Sequence, residues 1–422
     1  MAANEPLAHS LEEASILLDG HHSLVPHTPE YERLYVERPQ VESDLIREAI
    51  RAERGGHPFY WCFTGHTGSG KSTELNRIMV DRRLGAYLPV RVDLEAEFDI
   101  HNVAFTDLLL AMGRACAEKA DELRCPVPEA LRKAIARWGA EILTEEELQT
   151  RTEGHAGLKV SLPFLALGEE VRSGGGKRET IRRKISNDVL EFTRLIDELA
   201  AALETYTHQR VLCVLDGLDH LDAEPAFKVL NDHFLTVKLP QISKVFVVPL
   251  ALLNTDFLNT IERRYSTVPN VKVFQTPGVE ELDDAGFRFY QEVISRYVSI
   301  ELFSEEALRS LCRLSAGILR DMIRNTGDAC GYAADAGSPR VTTDHVESVW
   351  NQMMRFYRNQ LRVKDYEALE KVASQPLPRG IDGVPPLLNS KAVVFYPNGE
   401  GWYGVHPAVQ RLMAASAALS GS

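Results

Sequence analysis

A chain of 422 residues, 44% hydrophobic and 25% charged, has the composition of a globular protein and, at roughly 150 residues per domain, room for two or three domains. Its formal net charge of −13 weighs against a surface wrapped broadly in nucleic acid, while leaving room for local basic patches. No apolar run reaches the roughly 20 residues that cross a bilayer, and the N-terminus has neither a basic nor an apolar leader region, so a cytoplasmic protein without membrane contact is expected.

Residues 1–34 are polar, rich in histidine and proline, and are expected to form a loose leader. From Tyr35 to Gly55, Val41, Leu45, Ile46, Ala49 and Ile50 recur at helical spacing. The apolar run Phe59–Thr64 predicts a buried strand entering a Gly-rich loop, with a helix from Lys71 to about Asp81. Four further apolar runs predict strands: Leu88–Leu94, Arg210–Leu215, Lys244–Leu250 and Val271–Gln275. Helical stretches separate them, so a parallel sheet with helices on both faces is expected within residues 35–276. A helical insertion interrupts it at about 103–208, with helices at Val103–Leu123, Pro128–Trp138 and Glu179–Tyr206. Between them, Leu158–Leu167 reads as a short extended piece and Gly174–Gly176 as a flexible link. Residues 277–362 predict a helical domain, with helices at Val279–Tyr297, Ser304–Ser315, Leu319–Ala336 and Thr343–Leu361. In residues 363–422 a helix at Tyr366–Ala373 and the apolar Leu387-Leu388 precede strand-like runs Ala392–Tyr396 and Gly401–Val405. These flank Pro397-Asn-Gly-Glu400, a strong hairpin signal, and the order is that of a winged helix. The six cysteines (62, 116, 125, 213, 312 and 330) form no CxxC pair, and buried reduced thiols are expected rather than disulfides or zinc ligands.

Gly65, His66, Thr67, Gly68, Ser69, Gly70, Lys71 and Ser72 fit GxxxxGK[ST] in full, between a strand-like run and a helical one. Glycines let backbone N–H groups curl around phosphates. The lysine reaches the β- and γ-phosphates, and the serine hydroxyl ligates magnesium. The helix that follows adds N-terminal donors and a dipole that favours an anion. The segment therefore predicts a site for a nucleoside triphosphate with Mg2+. A second element is the apolar strand that ends in Asp216, which delivers a carboxylate to the sheet edge where ligands bind. Asp216 is expected to hold the magnesium through water. Gly217 stands where a glutamate is usual, and the next acid, Asp219, is placed to orient an attacking water as general base. A helix-start charge is the competing reading of Asp219.

Asp216-Gly-Leu-Asp219 after an apolar strand resembles the Walker B motif of STAND-class NTPases, the NACHT type in particular, and Gly65–Ser72 continuing into Thr73-Glu-Leu-Asn76 resembles their Walker A segment. The larger plan of P-loop sheet, helical lid and winged helix is similar to AAA+ ATPases of the origin-recognition type, from about Tyr35 to Met413. The resemblance implies a switch that binds ATP and ADP, hydrolyses ATP slowly, forms a homo-oligomer and regulates a separate protein effector. In STAND signalling, including bacterial conflict and phage defence, effector and sensor would be separate chains or the inserted helices. The resemblance also implies individual roles. The segment from Tyr35 to Leu45 matches one that packs near adenine. Arg320, in Ala316-Gly-Ile-Leu-Arg320, matches the sensor-2 arginine that reaches the γ-phosphate, and His406, in Val405–Leu412, matches the MHD-like histidine that contacts the β-phosphate of ADP. There are departures. Gly317-Ile-Leu-Arg320 replaces the usual Gly-x-Pro of the STAND lid, Asn254 is the nearest candidate for sensor 1, and Arg263 and Arg264 occupy the arginine-finger region, where a solvated helix end is the plainer reading.

Two basic segments remain. Lys177–Lys184 holds five basic residues and one acid, and reads as a phosphate contact or a solvated helix face. Arg355, Arg358 and Arg362 fall at i, i+3 and i+7, with Lys364 next and no acid from Met353 to Lys364, a phosphate-contacting stripe. The stripe supports the alternative, a DNA-associated AAA+ ATPase of initiator or transposition-regulator type. Against it, Gly383–Ser390 offers no Arg or Lys for groove readout and the wing turn ends in Glu400. The winged helix is therefore expected to act mainly as an intramolecular lock or protein contact.

Overall fold

Five short strands build the sheet of the computed structural model: β1 (Tyr60–Gly65), β2 (Tyr87–Asp93), β3 (Arg210–Asp216), β4 (Ser243–Pro249) and β5 (Tyr265–Thr267), in the order β2-β3-β4-β1-β5. The structure describes residues 7–19, 23–38, 44–99, 102–142, 160–174, 176–221, 223–274, 281–375, 382–396 and 401–420. β2 pairs with β3 and β3 with β4 in parallel, setting Asp93 beside Asp216. β4 is buried throughout and β3 nearly so, as in a sheet covered on both faces. The chain leaves β1 for the β2 edge but leaves β4 for β5 at the opposite edge. Strand order thus reverses beside β1, and open α/β sheets bind ligands outside the carboxyl ends of strands at such a reversal.

The chain divides into two compact units, Ser43–Thr64 with Met79–Ser266, and Met1–Glu42 with Gly65–Ile78 and Thr267–Ser422. In the sheet unit, helices Phe105–Glu122, Glu129–Ala140, Leu162–Arg172, Arg178–Asn187 and Val189–Thr207 form the insertion between β2 and β3. Met112, Trp138, Phe164 and Phe192 carry its apolar faces into one core with Cys213 and Phe246 of the sheet. The expected extended piece at Leu158–Leu167 is helical from Leu162. Pro163 sits in the first turn, where its fixed φ suits a helix, and Phe164, Leu167 and Val171 share a buried face. Residues 158 and 159 lie outside the described residues. The basic run Lys177–Lys184 is largely consumed internally: Arg182 pairs with buried Asp107, Arg178 donates to the Asn102 carbonyl at 2.8 Å, and Lys184 pairs with Glu141.

The other unit contains the lid helices Asp284–Tyr297, Glu305–Leu314, Leu319–Asp335 and Thr343–Gln360. The winged helix follows as helices Val363–Ser374 and Val384–Asn389, the antiparallel hairpin of β6 (Val393–Tyr396) and β7 (Trp402–Val405), and a closing helix Pro407–Ser420. The wing turn at 397–400 lies outside the described residues.

Three further expectations are corrected. Of the helix expected over Tyr35–Gly55, Asp44–Gly55 is helical and Tyr35 is extended, while residues 39–43 lie outside the described residues. The fifth strand is Tyr265–Thr267, not Val271–Gln275: the Val271 N–H donates to Gly317 O at 3.1 Å and Val273 O accepts from Asp283 at 2.9 Å, so the lid segments take the place of a neighbouring strand. Periodicity alone does not distinguish the two for so short an apolar run. The described part of the leader, residues 7–19 and 23–34, is not loose. Ser10 and Glu13 form a capping box for helix Leu11–Leu17, and Leu11, Ala14 and Leu18 are buried, with Leu18 against Gly327 of the lid. All six cysteines are buried free thiols, and among the described residues no helix is long and apolar enough to cross a membrane.

Candidate functional site

The P-loop leaves β1 at Gly65 and turns on glycines. Gly68 and Gly70 hold φ of +87° and +89°, where side-chain-bearing residues are strained. A Cβ at Gly68 would lie 2.8 Å from Arg320 Cβ, and one at Gly70 would lie 2.6 Å from Arg38 Nη2, so a side chain at either position would strain the turn and displace a neighbour. The Ser69 N–H donates to His66 O at 2.9 Å and closes the turn. Among the described residues no group accepts from the N–H of Thr67, Gly68 or Gly70, and the buried Ser69 Oγ has no hydrogen-bond partner. Lys71 is 4% exposed and opens helix Lys71–Met79, with Nζ donating to Gly65 O at 3.0 Å and His66 O at 2.9 Å. Unpaired loop donors, a glycine-shaped cradle and an inward lysine fit a polyphosphate. Ser72 lies in the first helical turn; the hydroxyl of Thr73 instead accepts the Leu24 N–H at 3.1 Å.

The lid and the winged helix both bond to this loop. Arg320, on the first turn of helix Leu319–Asp335, donates its N–H to Gly68 O at 3.0 Å and keeps its side chain exposed. His66, 2% exposed, accepts the Phe395 N–H of β6 at Nε2, at 2.8 Å. Burial, reinforced by the charges of Lys71 and Lys391, pulls its pKa down to about 3, so the ring is neutral and its proton sits on Nδ1. Around that contact, Asn270 Nδ2 donates to Phe395 O at 3.2 Å, Tyr396 Oη donates to Ala316 O at 2.7 Å and Lys391 Nζ lies 2.8 Å from an Asp321 carboxylate oxygen.

His406 is fully buried. Its Nδ1 accepts the Ala408 N–H at 3.2 Å, capping the closing helix, while Nε2 has no hydrogen-bond partner among the described residues. Burial first, then Lys391, pulls its pKa down to about 3.

Sequence reasoning missed Arg38 and Glu74. Glu74 is 1% exposed on the P-loop helix and meets Arg77 at 2.9 Å, Arg38 at 3.7 Å and the Tyr35 hydroxyl at 3.2 Å. Arg38 also donates to Pro269 O at 3.3 Å, and burial draws its pKa down against the pull of Glu74. A signal was present: Lys71, Glu74, Leu75 and Ile78 share the buried helical face, and a carboxylate there requires a cation.

Asp216 and Asp219 belong to the sheet unit. Asp216 ends β3, 6% exposed; one carboxylate oxygen accepts the Gly217 N–H at 3.0 Å and the other pairs with Arg91 of β2. Asp219 sits in a 3-10 turn, 3.7 Å from His220 Nε2, and His220 Nδ1 is 2.7 Å from Glu95. Asn254 ends the turn after β4. Arg263 is exposed with φ of +63°, and the Arg264 guanidinium lies over the Tyr60 ring at 4.7 Å. Among the described residues no group of three or more His, Cys, Asp or Glu is arranged to hold a metal ion. Magnesium carried on a triphosphate needs only one or two protein ligands.

No protein-family model matches the chain, and no curated protein matches it in sequence. It is similar to the ORC1 protein of Aeropyrum pernix in complex with DNA, with a TM-score of 0.40 and 13% identity over 95% of this chain and 96% of that one. Drosophila ORC bound to DNA gives 0.36 and 14% over 97% and 92%, and a Thermotoga maritima RuvB variant gives 0.31 and 12% over 88% and 92%.

Proposed function

We propose that the chain is an ATP-binding and ATP-hydrolysing switch of STAND or AAA+ type, in which nucleotide state governs homo-oligomerisation and engagement of a separate protein effector. The observation that carries this reading is the double grip on the P-loop: Gly68 O is held by Arg320 of the lid and His66 Nε2 by Phe395 of the winged helix. A ligand shifts a conformational equilibrium only through differential contacts. A loop that must rearrange around phosphates while bonded to two later domains supplies them.

The N–H groups of Thr67, Gly68 and Gly70 are the donors for phosphate oxygens. Lys71 Nζ exchanges the carbonyls of Gly65 and His66 for them. Magnesium, when bound, neutralises phosphate charge; Ser72 and Asp216 are the residues we assign to it. Asp219 accepts the proton of the attacking water. Arg320 carries phosphate occupancy to the lid, and the buried Nε2–H of His406 is a second donor toward a diphosphate.

Titration calorimetry with ATP·Mg2+ tests the core of this reading. Lys71→Ala should lose binding, and an affinity equal to that of the native chain would overturn it. Asp219→Ala should bind ATP yet turn over about 10²-fold more slowly; native turnover would move the base elsewhere. Sedimentation with ADP against ATP reads the oligomeric change.

A further inference from the structure

The C-terminal half of helix Thr343–Gln360 presents a solvent face that neither the nucleotide site nor the winged helix uses. Arg355, Phe356, Arg358 and Asn359 are all exposed there, and Arg362 and Lys364 continue the surface where this helix meets Val363–Ser374. The helix ends at Gln360, so Arg362 leaves the helical face expected from its i+7 spacing and sits at the junction instead. No aspartate or glutamate occurs from Asn351 to Lys364. Among the described residues no carboxylate pairs with Arg355, Arg358, Arg362 or Lys364, in contrast to Arg296, Arg309, Lys371 and Arg411 of the same unit, each paired with a glutamate. Asp365 caps the second helix, its carboxylate accepting the Arg362 N–H at 2.8 Å, and is the first acid beyond the cationic run.

The apolar component separates this face from an ordinary solvated one. Phe356 is 54% exposed and Val363 91% exposed, beside cations and a carboxamide on a protein whose net charge is −13. Guanidinium and ammonium groups are the phosphate binders, asparagine is a base-edge reader, and an exposed aromatic is a stacking platform for an unpaired base.

We infer that this face binds the phosphodiester backbone of a nucleic acid. Arg355, Arg358, Arg362 and Lys364 take phosphates, and Asn359 and Phe356 lie against bases or sugars. The surface is separate from helix Val384–Asn389 of the winged helix, which has no basic residue. It does not depend on the nucleotide reading.

Fluorescence anisotropy with the full chain tests it, using labelled duplex DNA, single-stranded DNA and single-stranded RNA of one sequence from about 50 to 300 mM salt. Binding with a log–log salt slope of about −3 to −4 is expected if the four cations each meet a phosphate. The charge reversal Arg355→Glu with Arg358→Glu should weaken binding at least about 100-fold and flatten the slope by about 2. Phe356→Ala should weaken single-strand binding by about 5-fold or more while sparing the duplex if the strand is unpaired; equal, small effects on both assign the contact to a duplex backbone. All substituted side chains are exposed, so melting curves and ATP affinity should match the native chain. Absence of binding at about 50 mM salt, or native binding by the charge-reversal variant, overturns the inference.

Discussion

Replacing His66 with alanine removes the acceptor of the Phe395 N–H and leaves the loop glycines, Lys71 and Ser72 untouched. Phe395 lies opposite Tyr403, and Ala392 O accepts the His406 N–H at the hairpin base. Strand alternation then makes 395–403 a non-hydrogen-bonded pair, so both main-chain groups of Phe395 face away from β7. One reaches His66 at 2.8 Å and the other Asn270 at 3.2 Å. The variant leaves that amide without an acceptor in a part-buried setting. An orphaned amide costs about 1–3 kcal/mol, roughly a 5- to 150-fold rise in the population of the undocked hairpin. Amide hydrogen exchange measures this directly: Phe395 should exchange faster by that factor, while Val394, paired with Gly404 inside the hairpin, should not. His66→Gln restores an acceptor and should recover part of the protection. ATP·Mg2+ added to the native chain should accelerate the same amide. Unchanged exchange at Phe395, or equal acceleration at Val394, would refute a docking role for the His66–Phe395 bond, the second by exposing a general loss of stability.

Acidification should weaken this unit. His66 and His406 are held neutral with pKa values near 3 against 6.5 when unperturbed, so the unfolded chain binds more protons between those values. Their contribution is complete above about pH 6.5 and is lost as pH falls toward 3. Thermal melts at decreasing pH should show it, with a shallower fall in His406→Asn, which keeps a helix cap without a titrating ring; an equal fall would contradict the assignment. Leu18→Ala should cost about 2–5 kcal/mol in urea unfolding, since Leu18 is fully buried; a loose leader would give no loss. Gly317→Ala should be more severe than a surface glycine change, because its φ is +83° and a Cβ would lie 2.2 Å from Val271 O. A shift in unfolding free energy under about 0.5 kcal/mol would show that the loop yields freely.

The strand, glycine turn and helix around residues 65–72 were legible because an apolar run, glycines at positive φ and a helix-opening lysine are all local signals. The same holds for the four longer strands, for Asp216 at a strand end and for the hairpin, where turn chemistry and apolar runs are local signals. The resemblance gave Arg320 a side chain that reaches the γ-phosphate; what the structure shows is its backbone N–H on Gly68 O and an exposed side chain. Val271–Val273 was misread because an apolar run records burial and not the partner that buries it. The described part of the leader was misread because three buried side chains over two helical turns are outweighed by the polar residues around them. Glu74 was readable in principle, as an acid on a buried face, but its partner Arg38 was not. What only the tertiary structure decided is which distant polar groups meet. His66 and Phe395 are 329 residues apart, and no local pattern marks a strand-edge amide that needs a histidine or a histidine that will accept it. Local propensity and spacing determined the elements and the glycine-rich turn at residues 65–72. Packing, which pairs main-chain donors with the acceptors it brings near, determined that the Arg320 N–H meets Gly68 O and the Phe395 N–H meets His66 Nε2.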